Sequence, residues 1–200
     1  MPPAAYIVPV QWTSVIDVLQ AHQVAMQRTT APWTGSVETY QCGGMTWQEP
    51  PFEGRHPLFA GEALRNRGKF GTCTLVTQKV TYPAGSVVVP LNQRLSKVAI
   101  QWLEPAAPDS AMAWGFFDSI FEQKEYGEAY VLEKLAREMM AASPQLKSEF
   151  EKKLAADPQF AANPYARLAF FYNHSPWFAA NQVGLYPVGR LLKLDGLPLK

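Results

Sequence analysis

Three histidines, two cysteines and seventeen acidic residues are the side chains from which this chain would have to build catalytic chemistry. A zinc enzyme needs three protein ligands and an open fourth position, often with two ligands on one helical turn or loop. His22, His56 and His174 are widely separated, and His-x-x-Glu does not occur: Ala25, Phe59 and Trp177 stand at that spacing. Asp17 precedes His22 by five residues, which is off its face on a helix. Each histidine reads as a helix-end or loop residue. No G-x-S-x-G elbow is present, and Gly35-Ser36 and Gly85-Ser86 read as turns. A pair made of His56 with Cys42 or Cys73 is conceivable in space, but packed thiols in strands are the simpler reading. Glu122, Glu125 and Glu128 recur three apart with Lys124 among them, as a solvated face would. Cys42-Gly43-Gly44 and Gly68-Lys69-Phe70-Gly71 are too short for a phosphate-binding loop.

The elements that must position these residues fall into three sections. Residues 1–31 read as a strand-helix unit. Tyr6 to Val10 form the strand, Thr13 is the expected N-cap, Asp17 lies in the first turn, and the helix ends near His22. Val24 to Arg28 return as a short strand. Residues 32–118 read as β, with strands at 36–40, 71–80 and 87–91 and a turn at 82–86. Lys97 to Leu103 read as strand or short helix before Glu104-Pro105. Regular short strands suggest a mostly antiparallel β-sandwich or jelly-roll-like sheet, completed by a strand within residues 185–200. Residues 119–184 read as a helical insertion before that last strand. Ser143-Pro144, Asp157-Pro158 and Asn163-Pro164 each pair an N-cap with a proline at the first helical position. The fold class is therefore α+β.

Aromatic residues make up 12% of the chain, and a cluster of them lies between Trp114 and Tyr126. Trp114, Phe116, Phe117, Phe121 and Tyr126 are the candidate domain-interface or ligand surface, with Trp114 to Phe117 read as a strand. Aromatic centres with polar rims suit interfaces. Arg55 and His56 are a secondary polar candidate.

Two hundred residues are enough for one domain or two small ones, and 48% hydrophobic with 18% charged residues excludes a disordered chain. A net charge of +1 provides no basic field for nucleic acid. No apolar run reaches the ~18 residues of a membrane span. Met1 to Ala5 lack the basic and apolar regions of a signal peptide, and compartment is not legible. The start reads as a cut inside a longer chain. Cys42 and Cys73 sit in separate strand-like stretches; two reduced thiols are the expectation, with pairing possible if those strands are neighbours.

An ordered set of segments carries a resemblance. It runs through Ala5-Tyr6-Ile7-Val8-Pro9, Trp12 to His22, Phe52-Glu53-Gly54-Arg55-His56, Pro83 to Gln93, Leu103-Glu104-Pro105, Asp109 to Asp118 and Tyr186-Pro187-Val188. In this order the chain resembles the region that follows the catalytic domain in large bacterial zinc carboxypeptidase-like proteins of the M14 family. The resemblance implies an accessory C-terminal part with no zinc or catalytic residues of its own, the zinc belonging to a parent peptidase domain. It implies that domain as partner, in cis or in trans, and a parent that is exported or periplasmic. An independent glycan- or peptide-binding module is the alternative.

Overall fold

In a computed structural model, residues 2–47, 49–56, 71–122, 126–179 and 182–200 are described. The chain divides into two compact units, residues 1–122 with 184–200, and residues 123–183.

The first unit is built on one six-stranded antiparallel sheet. Its strands are β1 (Ala5–Val8), β2 (Gln27–Arg28), β3 (Trp33–Gly43), β4 (Thr72–Tyr82), β5 (Val87–Pro90) and β6 (Gly189–Leu191), in the order β2-β5-β1-β6-β3-β4. The α+β class is the one the sequence predicts. The layer on the sheet, however, is helical where the sequence suggested a second sheet. Helices α1 (Thr13–Ala21) and α2 (Ser96–Leu103) bury Val15, Ile16, Leu19, Ala99 and Leu103 against Tyr6, Val8, Val87 and Val89. The ambiguous 97–103 segment is thus helix: its buried Ala99 and Leu103 lie four apart, on one helical face. The opposite face, with Ile7, Val37, Tyr82 and Val88, is covered by Leu194, Leu197 and Leu199 of the C-terminal tail.

Local expectations fare unevenly. The first helix ends at His22 as expected, but Trp12, not Thr13, occupies the N-cap, and its side chain makes no capping bond. The exit is a Schellman turn, with Val24 N–H donating to Leu19 O at 3.0 Å and Gln23 N–H to Gln20 O at 2.9 Å. Trp114 to Phe117, expected as a strand, are successive turns that run into a 3₁₀ helix (Asp118–Phe121). Gly115 adopts a left-handed φ of 74°, which an extended strand does not contain.

Cys42 and Cys73 are joined by a disulfide, which corrects the expectation of reduced thiols. The reason is register. The two residues are directly opposite on β3 and β4, with Cα atoms 4.1 Å apart. Cys42 N–H donates away from β4, to Gly184 O at 2.9 Å, so the pair sits at a non-hydrogen-bonded position where side chains approach closely. Gly184 has no alternative there: at φ 70°, an added Cβ would meet the Cys42 carbonyl oxygen.

The second unit contains α3 (Ala129–Ala142), α4 (Pro144–Ala156), α5 (Pro158–Ala162) and α6 (Pro164–Asn173). The three cap-plus-proline starts form as expected. Ser143, Asp157 and Asn163 accept from Leu146, Phe160 and Ala166 N–H at 3.2, 3.0 and 3.1 Å. Phe150 packs against Phe160, Phe170 and Phe171 at ring separations of 5.9, 5.4 and 4.7 Å. The acidic triplet forms no helical face: Glu122 precedes this unit, Glu128 is the N-cap of α3, and Glu125 lies outside the described residues.

Candidate functional site

The two groups of candidate residues read separately in the sequence meet in the sheet unit. Phe52 and Arg55 exchange backbone hydrogen bonds of 2.7 and 3.0 Å around Glu53-Gly54. Both central residues have positive φ, 50° and 75°, as a type I′ turn requires, which explains a glycine at 54. The turn holds Arg55 with its guanidinium carbon 3.9 Å from the centre of the Phe116 ring. It also brings Arg55 Nη1 3.3 Å from Trp114 O, to which it donates, and stacks Phe52 on Trp114 at 6.1 Å. Stacking an arginine on an aromatic face leaves its in-plane N–H groups directed outward, a geometry suited to carboxylates.

Behind this platform stands Asp118. Burial pushes its carboxyl above the usual carboxylate range. Trp47, Arg55 and His56 oppose that rise and Glu122 adds to it. Oδ1 of Asp118 and Nε1 of Trp47 are buried without a fully formed hydrogen bond among the described residues. Trp47 in turn meets Phe121 edge to face at 5.9 Å.

The remaining candidates are placed elsewhere. Phe117 is fully buried between Trp12 and Tyr186, at 4.7 and 4.9 Å, and offers no surface. Tyr126 is 78% exposed and belongs to the second unit. Trp102, which touches Phe116 at 4.9 Å, connects the platform to a groove of about 470 Å³ alongside α1 and α2. Leu19, Val98, Trp102 and Trp114 line it, with His22, Lys97 and Asp109 as its charged or titratable groups.

A second constellation escaped the sequence reading. Tyr6, Arg190 and Glu38 lie in one row across β1, β6 and β3. Glu104 leaves α2 in extended conformation, as a residue before proline is driven to do, with its carboxylate above this row. It accepts from Tyr6 at 2.6 Å, Tyr40 at 2.7 Å and Arg190 Nε at 3.0 Å, while Arg190 Nη1 donates to Glu38 at 2.6 Å. The arginine is only 8% exposed. The partners are 64 to 152 residues apart, so no local pattern announces them. The only sequence signal is Glu38, a charge at an inward position of an alternating strand. With its donors and acceptors matched, the cluster holds the end of α2 to three strands and leaves no free base.

Burial, the Glu104 hydrogen bond and the Glu104 charge push the Tyr40 hydroxyl up to about 12. Burial first, and then Glu104, raises Tyr6 and Tyr186 further, and burial raises Tyr82. A raised phenol pKa contributes stability below the usual value of 10.0 and loses it as pH rises through the folded value, here about 12 for Tyr40. The sheet unit is therefore expected to unfold cooperatively between those limits, and tyrosinate absorbance of these four residues should rise with loss of near-UV circular dichroism. A tyrosinate signal accounting for all eight tyrosines while the fold persists would contradict this burial.

Among the described residues, no group of three or more His, Cys, Asp or Glu side chains is placed to hold a metal ion. No helix of the described residues is long and apolar enough to cross a membrane.

With this geometry in view, comparisons relate part of the chain to carboxypeptidases. Over 113 residues, 56% of this chain, it is 26% identical to Carboxypeptidase 2 of Trichophyton tonsurans and of Trichophyton equinum. Identity to Carboxypeptidase 2 of Trichophyton rubrum is 25% over the same length. The match covers 19% of each of these fungal relatives. No protein family matches the chain, and no solved structure does.

Proposed function

We propose that this chain is a non-catalytic accessory region of an M14-type zinc carboxypeptidase that packs on, or modulates, a peptidase domain. The observation that carries the reading is a similarity to carboxypeptidases confined to 19% of their length. In this reading the helical unit at 123–183 is an insertion, and the parent is a bacterial protein. Zinc chemistry belongs to the peptidase domain. The residues described here provide no cluster to hold that ion, so none of the hydrolytic steps is assigned to them.

The contact surface is Arg55 with Trp114 and Phe116, extended by Phe121. It has an apolar centre, a cation at its edge and no need for its own reaction chemistry. The groove floored by Trp102 and Trp114 favours a second reading, a peptide- or glycan-binding module.

The purified chain should release no C-terminal residue from peptides and bind no stoichiometric zinc. Mixed with an M14 peptidase domain, it should raise that domain's activity or melting temperature, and Arg55→Ala with Trp114→Ala should lower the gain about tenfold, as loss of ~1–2 kcal/mol at an interface anchor does. One equivalent of tightly bound zinc, with hydrolysis by the chain alone that His56→Ala abolishes, overturns the reading. Saturable binding of a glycan or peptide without any effect on a peptidase favours the module.

A further inference from the structure

The two edges of the six-stranded sheet are treated differently. At one edge, β2 is two residues long, and the chain just past it is bridged by the C-terminal tail at Thr29 and Leu199. The other edge, β4, is eleven residues long, pairs with β3 in unbroken register from Thr72 to Tyr82, and contains no proline and no bulge. Among the described residues, nothing pairs with its outer side. Proteins ordinarily blunt such an edge with short strands, prolines, bulges or several charges. Here only Lys79 is charged.

The direction of the free groups follows from the neighbouring bonds. Cys42 N–H donates to Gly184 and Tyr40 O accepts from Tyr186, so the pairs Cys42–Cys73 and Tyr40–Leu75 are non-hydrogen-bonded ones. By alternation, the N–H and C=O groups of residues 73, 75, 77, 79 and 81 point away from β3. The side chains at this edge leave it open. Thr74, Leu75, Thr77, Lys79 and Thr81 are exposed, Leu75 at 46%.

We propose that this edge pairs antiparallel with β4 of a second copy of the chain, continuing the sheet across a two-fold axis at Thr77. The strand is self-complementary about that residue, the midpoint of Thr72 and Tyr82. An axis there overlaps the whole strand and makes each outward residue face another outward one, as an antiparallel ladder needs. Thr77 meets Thr77 of the copy, a favourable cross-strand pair. Leu75 meets Lys79 of the copy, so the apolar stem of the lysine covers the exposed leucine while the ammonium stays in water. No like charges oppose each other. Centring the axis on Lys79 would set the two lysines opposite one another and leave much of the strand unpaired.

The test is the mass of the whole chain in solution by light scattering or sedimentation equilibrium at high micromolar concentration. It should be twice that of one chain. Thr77→Pro removes an N–H that β3 does not use, and proline is tolerated at such an edge position. It should halve the mass and leave the far-UV spectrum unchanged. Leu75→Lys, which places a lysine opposite Lys79 of each copy, should weaken the dimer at least tenfold and more so at low salt. Thr77→Cys should crosslink copy to copy under mild oxidation, whereas Thr74→Cys, opposite Val80 of the copy, should not. A wild-type chain that stays monomeric, or a dimer that survives both Thr77→Pro and Leu75→Lys, overturns the proposal. So does capture of a strand from a different protein by a monomeric chain.

Discussion

Glu104→Ala is expected to destabilise the sheet unit by ~3–5 kcal/mol, the loss that follows when one partner of a buried ion pair is removed. Three donors would lose their acceptor at once: the hydroxyls of Tyr6 and Tyr40 and Nε of Arg190. Arg190, 8% exposed, would keep its bond to Glu38 but lose the one to Glu104. Denaturant unfolding followed by tryptophan fluorescence measures the loss. Arg190→Met should cost less than Glu104→Ala, because the Glu104 carboxylate keeps both tyrosine hydroxyls as partners. The double variant should be more stable than the sum of the singles, since each removes the other's unpaired charge. Additive losses would show that the cluster does not act as a unit.

Cys42→Ser with Cys73→Ser is expected to be nearly as damaging. The bridge spans 31 residues, which in the chain-entropy treatment contributes ~3–4 kcal/mol by restricting the unfolded chain. Reduction of the wild-type chain should lower its melting temperature as far as the double replacement does. Denatured, non-reduced protein should show no reactive thiol. Two thiols per chain under those conditions would refute the bridge. Because the cystine ties β3 to the edge strand β4, its loss should first fray the ribbon end near Gly43 and Thr72, where hydrogen exchange would report it.

These two effects lie where the sequence was least informative. The mixed α+β class, the first helix ending at His22, and the three helices opened by Ser143, Asp157 and Asn163 were legible because each depends on contacts a few residues away. A side chain that caps the third amide ahead, or a proline that fixes its own φ, carries its effect within a single turn. Trp114 to Phe117 misled for the opposite reason. A run of aromatics is equally good strand or packed turn until its partners are known, and here Trp12, Trp102 and Tyr186 provide them.

Of the candidate site, the residue types were legible and their grouping was not. Arg55 and Trp114 are 59 positions apart, and only the type I′ turn at Glu53-Gly54 brings the guanidinium over Phe116. The sequence by itself determined the first helix, the three capped helices, the lack of a zinc motif and the supply of aromatic and cationic groups. The tertiary structure alone decided that β1 is an inner strand, that helices replace a second sheet, that Cys42 faces Cys73, and that Glu104 closes over Tyr6, Tyr40 and Arg190. Those outcomes rest on strand register and on pairings across 31 to 98 residues. Their stability is gained only after the intervening chain has been closed into a loop, so no short window of sequence records them.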